Sequence, residues 1–135
     1  MTAMLIGVGS YFSSGVLSLV LSRFRYKLSI LGWIGGTYAL ISEIIFLKKG
    51  GAVVGSLGAW EGLGIEITID QTTVLFSALV VILNIFTLLY LGKQKKGTFF
   101  CLYNLLLGVA FSISFSNDLF NLYVTIELMS LISIS

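Results

Sequence analysis

Residues 71–91 read QTTVLFSALVVILNIFTLLYL, an apolar run without a charged residue. Its length is that of a transmembrane helix, because about 20 helical residues span a hydrocarbon layer roughly 30 Å thick. The whole chain has the same character, since 57% of its 135 residues are hydrophobic and only 10% are charged. Soluble domains carry about 25% charged residues. We therefore expect an integral membrane protein.

Other apolar segments precede and follow this run. We predict transmembrane helices over residues 4–22, 28–47, 71–91, 99–115 and 117–135, within a single membrane domain of residues 1–135. The first segment has no Lys or Arg before it and no convincing small-residue cleavage site, so we expect a helix of the mature protein rather than a secretory signal. The predicted fold class is all-α integral membrane, with five transmembrane helices.

The loop of residues 48–70 joins the second and third segments. Glycines punctuate it, and Ile65-Glu66-Ile67-Thr68-Ile69 alternates apolar with polar residues. This alternation is typical of a half-buried strand. We predict a short β-hairpin on the outer membrane surface, with Trp60 at the level of the lipid headgroups.

The basic residues predict the orientation in the membrane. Residues 23–27 and 93–97 contain six of the eight Lys and Arg residues, and these two loops fall on the same side. The opposite side holds Lys48 and Lys49 together with several acidic residues. The positive-inside rule then places the amino terminus outside and the carboxyl terminus inside. We expect a multi-pass protein of the cytoplasmic (inner) membrane.

The residue types that are missing exclude several kinds of site. The chain has no His and one Cys, Cys101, whereas haem, iron–sulfur and zinc sites use several such ligands. The net charge of +2 is not gathered into a nucleic-acid-binding patch. No nucleophile–base pair or phosphate-binding loop is present, so we expect neither a cofactor nor a catalytic site that works without other subunits.

Glu127 is the one charged residue between Leu119 and Ser135. Because a charged residue at the centre of a bilayer costs roughly 2–3 kcal/mol even on the mildest scales, such a carboxyl group is a functional candidate. Helical spacing places Tyr123 and Ser130 on the same face. We predict an ion or proton pathway through Glu127, Tyr123, Ser130 and Asn104, although Asn104 has the alternative role of a hydrogen bond between helices.

Two further acidic residues are secondary candidates for this pathway. Glu43 lies near the outer end of the second segment, where its alternative is to extend its carboxyl group to water. Asp118 lies before the last helix, where a negative charge stabilises the first turn. All the Lys and Arg residues lie in loops or at segment ends, so a cation that pairs with Glu127 has to come from another chain.

Two stretches resemble the amino-terminal part of the antiporter-like subunits. These subunits are shared by Mrp-type cation/proton antiporters (the D-like subunit), membrane-bound hydrogenases and respiratory complex I. Residues 117–124, NDLFNLYV, with Glu127-Leu128 after them, are similar to the family's fifth helix. Gly58-Ala59-Trp60, with residues 64–70 after it, is similar to the family's hairpin. Residues 61–63 depart from the family pattern, which has Pro-containing residues there.

The resemblance implies translocation of protons, sodium ions or both. It implies that Glu127 is the functional carboxyl of the fifth helix and pairs with a Lys on a later helix. The match covers only the first helices of the family, so we expect a split subunit in a multisubunit membrane complex, although a truncated or decayed copy is the alternative. The expected partners are the lipid bilayer and other integral membrane subunits, including one with the later helices and the Lys. A non-conducting structural or assembly subunit of the same kind of complex is the alternative function.

Overall fold

The structure is a computed structural model that describes residues 2–50, 53–57, 65–91, 96–117 and 119–134. Five α-helices make up most of it. They are α1 (Thr2–Val20), α2 (Arg25–Gly50), α3 (Gln71–Leu91), α4 (Gly97–Ser114) and α5 (Leu119–Ile134). A 3-10 turn, Ser22–Phe24, separates α1 from α2, and two strands, β1 (Val53–Leu57) and β2 (Ile65–Ile69), separate α2 from α3. The predicted all-α membrane fold is confirmed.

The helices are apolar but differ in length. Three spans, Thr2–Val20, Ser22–Gly50 and Gln71–Tyr90, are long and apolar enough to cross a bilayer. The helices α4 and α5 are also apolar but shorter, at about 27 and 24 Å for a rise of 1.5 Å per residue. The chain is therefore a multi-pass membrane protein.

Several helix ends differ from the sequence prediction. The helix α2 begins at Arg25 and ends at Gly50, beyond the predicted 28–47, because Arg and Lys are good helix formers and Lys48 and Lys49 are favourable at a helix carboxyl end. The helix α5 begins at Leu119 rather than at residue 117. Asn117 instead donates its backbone N–H to the carbonyl of Glu66 at 3.0 Å.

The helix α1 packs mainly against α2 and α4, α3 packs against α2 and α4, and α5 packs mainly against α4. Tyr11, Ala39 and Phe111 from the first, second and fourth helices meet in one buried cluster. At Gly7, an added β-carbon would lie 2.7 Å from the β-carbon of Ala39. Small residues thus allow close packing of α1 on α2, as is usual between membrane helices.

Buried polar side chains lie inside this bundle beside the apolar cluster, and large apolar side chains lie on its outside. Leu75 and Leu89 on α3 are 71% and 74% exposed. The buried polar residues are Ser14, Ser18, Ser29, Glu43, Thr73, Ser77, Asn84, Asn104 and Thr125. An apolar exterior suits contact with lipid, where polar groups find no hydrogen-bond partners.

The two strands form an antiparallel pair in which Val53 lies opposite Ile69 and Leu57 opposite Ile65. On β2, Ile67 and Ile69 are buried, as the alternation predicts. The backbone N–H of Thr68 donates to the carbonyl of Phe115 at 3.1 Å, so β2 is attached to the turn between α4 and α5. The outer location of this hairpin remains a prediction, and Trp60 and the other residues between the strands lie outside the described part of the chain.

Candidate functional site

Glu127 lies near the middle of α5, about 12 Å along the helix axis from Leu119 for a rise of 1.5 Å per residue. Its side chain is exposed. Tyr123, 64% exposed, and Ser130, also exposed, lie one turn before it and nearly one turn after it on the same face. The structure therefore brings three of the predicted pathway residues together on one face of α5.

The opposite side of α5 packs on the rest of the bundle. Thr125 is the buried residue of this helix, and its hydroxyl group donates to the carbonyl of Asn121 at 2.7 Å. Leu122 and Met129 line a groove together with residues of α3 and α4. Because Glu127 lies on the other side of the helix axis, its carboxyl group is directed away from the interior formed by α1–α4.

Asn104 lies inside the bundle and has both of its polar atoms bonded. Its Oδ1 accepts a hydrogen bond from the hydroxyl group of Ser29 on α2 at 3.2 Å. Its Nδ2 donates to the carbonyl of Phe100 at 2.8 Å. The structure thus gives Asn104 the hydrogen bond between helices that the sequence offered as its alternative, and separates it from the exposed face that carries Glu127.

Glu43 does not reach water, which corrects the expectation of an extended side chain. It is 1% exposed, and neither of its carboxyl oxygens has a hydrogen-bond partner within the described residues. The cause is the face of α2 on which it lies. Gly36 and Ala39, seven and four residues earlier, are buried on that face against other helices, so one more turn brings Glu43 into the same interface.

Other residues near this interface were not among the predicted site residues. Ser77 on α3 lies beside Glu43, and its hydroxyl group is 3.1 Å from that of Ser114 on α4. Asn84 on α3 lies beside Tyr11. The amide atoms of Asn84 and the hydroxyl group of Tyr11 are buried without a hydrogen-bond partner in the described part of the chain.

Spacing along the chain could have revealed part of this arrangement. Ser77 and Asn84 are seven residues apart on α3, as are Gly36 and Glu43 on α2. Seven residues are almost two helical turns, so each pair lies on one face. Two antiparallel helices that each carry such a pair can place all four residues at one interface. The position of Tyr11, by contrast, depends on how α1 docks.

Asp118, the other secondary candidate, lies outside the described residues. Ser116 and Asn121 on either side of it are described, and Nδ2 of Asn121 donates to the hydroxyl oxygen of Ser116 at 3.0 Å. Within the described ranges, no group of three or more His, Cys, Asp and Glu side chains is placed to hold a metal ion.

Comparison with known proteins gives a likeness of fold. No protein-family model matches this sequence, and no curated protein matches it. A similar structure occurs in the membrane-bound sulfane sulfur reductase (MBS), an archaeal respiratory membrane complex. The TM-score is 0.76 and the sequence identity is 17%.

This likeness extends over nearly the whole of the present chain. It covers 97% of this chain but 22% of the MBS chain, so the present chain spans about a fifth of the length of its structural neighbour. At this level of identity the likeness establishes the shared arrangement of helices. The function of the chain has to be argued from its own residues.

Proposed function

We propose that this chain is an antiporter-like subunit of a multisubunit membrane complex and that it contributes Glu127 to the translocation of protons or sodium ions. Support for the complex comes from the likeness to a chain of a respiratory membrane complex. Support for translocation comes from the resemblance of residues 117–128 to the family's fifth helix. The cytoplasmic membrane is the proposed location.

The position of Glu127 is the observation that carries this proposal. Its carboxyl group lies mid-helix on the face of α5 that the bundle leaves uncovered. An ionised carboxyl group facing lipid at this depth costs roughly 2.5–3.5 kcal/mol or more. A partner that covers this face removes the contact with lipid and supplies polar or cationic groups, and a carboxyl group in that setting can take up and release ions.

The proposed partner is a transmembrane helix from a companion chain that carries a Lys opposite Glu127. The charge is complementary, and α5 itself has no Lys or Arg. The MBS chain is also much longer than the part that this chain matches, which is 22% of it. Tyr123 and Ser130 would then lie in the same interface.

Photocrosslinking in the native membrane tests this contact. Benzoylphenylalanine at Tyr123 is compared with the same substitution at Phe86 on α3, because these side chains are 64% and 65% exposed. We expect position 123 to form an adduct with a companion membrane protein and position 86 to form adducts with lipid. The absence of a protein adduct at position 123 would contradict the proposed interface.

Mass spectrometry of the chain purified in mild detergent identifies the companion. A bound protein with additional transmembrane helices and embedded Lys residues supports the antiporter-like subunit. Soluble redox subunits in the same preparation indicate a redox-driven complex, and a preparation without them indicates an antiporter. Purification of the chain alone or as a homo-oligomer would count against the proposal and favour the scaffold function.

A further inference from the structure

We propose that Glu43 is an internal proton-binding site, formed with Ser77 and Ser114 inside the α1–α4 bundle. This site lies on different helices from Glu127 and does not rest on the role proposed for that residue. Its ligand is a single proton, which adds to the carboxylate to give the neutral acid and leaves to water on release.

The first observation is the isolation of the carboxyl group. Glu43 is 1% exposed, and both of its oxygens are buried without a partner in the described part of the chain. An isolated charged carboxylate in an apolar interior is very costly, and a buried polar group that lacks a protein partner calls for a proton, water or an ion. The site therefore calls for a ligand that the chain itself does not supply.

The second observation is the pair of hydroxyl groups beside the carboxyl group. The hydroxyl group of Ser114 donates to the carbonyl of Phe111 at 2.6 Å. The hydroxyl groups of Ser77 and Ser114 lie 3.1 Å apart, and either can donate to the other. A hydroxyl oxygen has two lone pairs, so Ser77, which lies beside Glu43, can accept a hydrogen bond from a protonated carboxyl group in either case.

The burial of the carboxyl group favours the protonated acid. Neither carboxyl oxygen of Glu43 receives a hydrogen bond within the described residues, as an ionised carboxylate would require, whereas a protonated carboxyl group could donate its O–H to Ser77. The hydroxyl groups of Ser77 and Ser114 would then connect Glu43 with the carbonyl of Phe111.

The helices packed around the site, α1, α3 and α4, contain no Lys, Arg, Asp or Glu residue that could pair with Glu43. The titratable side chains of α1, α3 and α4 in the described part of the chain are Tyr11, Tyr90, Cys101 and Tyr103, and none of them hydrogen-bonds Glu43.

The end of the bundle nearest Glu43 is closed by apolar packing. Leu47, one turn further along α2, packs against the buried cluster that includes Ile67, Ile69 and Phe115. The acidic residues of this end are Glu66, exposed on β2, and Asp70, before α3, and neither of them hydrogen-bonds Glu43. Apolar packing therefore follows Glu43 along α2 toward the hairpin.

The polar side chains continue in the other direction. At Gly36, one heptad before Glu43 and so about 10 Å away along α2, the hydroxyl group of Tyr11 occupies the space that a β-carbon would need. Tyr11 lies beside Asn84, and both have buried polar atoms without partners among the described residues. Another heptad earlier, Ser29 bonds Asn104. Buried unpaired groups of this kind commonly hold ordered water, which would connect Glu43 with this row.

Infrared difference spectroscopy tests the site directly. A protonated carboxylic acid has a carbonyl-stretching band that an ionised carboxylate lacks. The full chain, with every subunit that copurifies, is measured in lipid nanodiscs at neutral pH. We expect this band in the wild type, its loss in Glu43→Gln, and its retention in Glu127→Gln, which is the matched control.

A second variant, a change of pH and the addition of sodium ions provide further tests of the site. Ser77→Ala removes the acceptor and is expected to shift the band without abolishing it, so it provides a readout even where Glu43→Gln fails to assemble. A band unchanged in both variants would overturn the proposal. So would the appearance of the Glu43 band only in acid, or its loss on addition of sodium ions, which would show a carboxylate or a cation site. None of these outcomes depends on ion transport. A failure of the proposed function would therefore leave this site intact, and a failure of this site would leave the proposed function intact.

Discussion

The hydroxyl group of Tyr11 on α1 occupies the space that a β-carbon on Gly36 of α2 would need. Tyr11 is fully buried, and its ring lies against that of Phe111 on α4, with 5.9 Å between the ring centroids. The tyrosine therefore cannot move aside easily. One glycine thus allows α1 to reach α2 and α4 at the same time.

Substitution of this glycine is expected to be destabilising. Overpacking of a tight core costs about 1–3 kcal/mol, so we expect Gly36→Ala to lower the thermal stability of the purified chain. Gly9→Ala is the matched control, because an added β-carbon there meets nothing within 4 Å. That variant should be stabilised, since Ala exceeds Gly in helix propensity by up to about 1 kcal/mol. Equal stability of the two variants would contradict this packing.

Removal of the hydroxyl group tests the same contact from the other side. Tyr11→Phe creates room at the position of the added methyl group, so it should restore part of the stability that Gly36→Ala loses. Two ring carbons of Tyr11 would still lie 2.8 Å from the new β-carbon, so the recovery should be incomplete. Strictly additive effects of the two substitutions in a double-mutant cycle would rule out direct contact.

Asp70 caps the amino end of α3. Its Oδ1 accepts hydrogen bonds from the backbone N–H of Thr73 at 2.8 Å and from the hydroxyl group of Thr73 at 2.9 Å. These bonds hold the pKa of Asp70 below its ordinary value of 3.8. We expect Asp70→Ala to lower the free energy of unfolding by about 0.5–2 kcal/mol, and Asp70→Asn to cost less because Asn also caps helices.

The pH dependence of stability distinguishes these two substitutions further. A carboxyl group whose pKa is lowered by folding stabilises the protein above its unfolded pKa and loses that contribution as the pH falls through its folded pKa. The difference in thermal stability between the wild type and Asp70→Asn should therefore become smaller below about pH 4. Thermal unfolding measured from neutral to acid pH checks this, and a difference that is constant with pH would contradict it.

The orientation of the chain leads to a labelling prediction. Lys27 and Lys48 are both exposed, near opposite ends of α2, and Cys101 is buried. In intact cells, a membrane-impermeant maleimide should label Lys48→Cys, while Lys27→Cys should require permeabilisation, because the basic loops are predicted to lie inside. The reverse labelling pattern would indicate the opposite topology. Labelling of the wild type would show that Cys101 is accessible.

Much of the fold follows from the sequence because lipid imposes a simple rule. Apolar blocks as long as residues 71–91 have to be helical in a bilayer, where every backbone group needs an internal partner. The extra turns of α2 escaped prediction because Arg25 and Lys49 are charged yet favour helices. Hydropathy indicates which residues lie in the hydrocarbon layer. It does not indicate where a helix continues into the headgroup region.

The burial of Glu43 was harder to predict because it depends on a partner helix. Sequence position places this residue near a helix end, where a long side chain usually reaches water. The small residues Gly36 and Ala39 draw that face of α2 into an interface, and only the docked bundle shows that Glu43 follows. Glu127 presents the opposite case, since its exposure means that its environment depends on chains outside this bundle.

Ion flux through the reconstituted complex tests the central claim most directly. Proton and sodium fluxes are compared in liposomes that contain the wild type, Glu127→Gln or Glu66→Gln, the last because Glu66 is an exposed carboxylate on the hairpin. We predict that Glu127→Gln reduces the flux to the background of empty liposomes, while Glu66→Gln transports normally and both variants copurify with the same partners. Wild-type flux in an intact Glu127→Gln complex would contradict the account and leave the chain as a structural subunit.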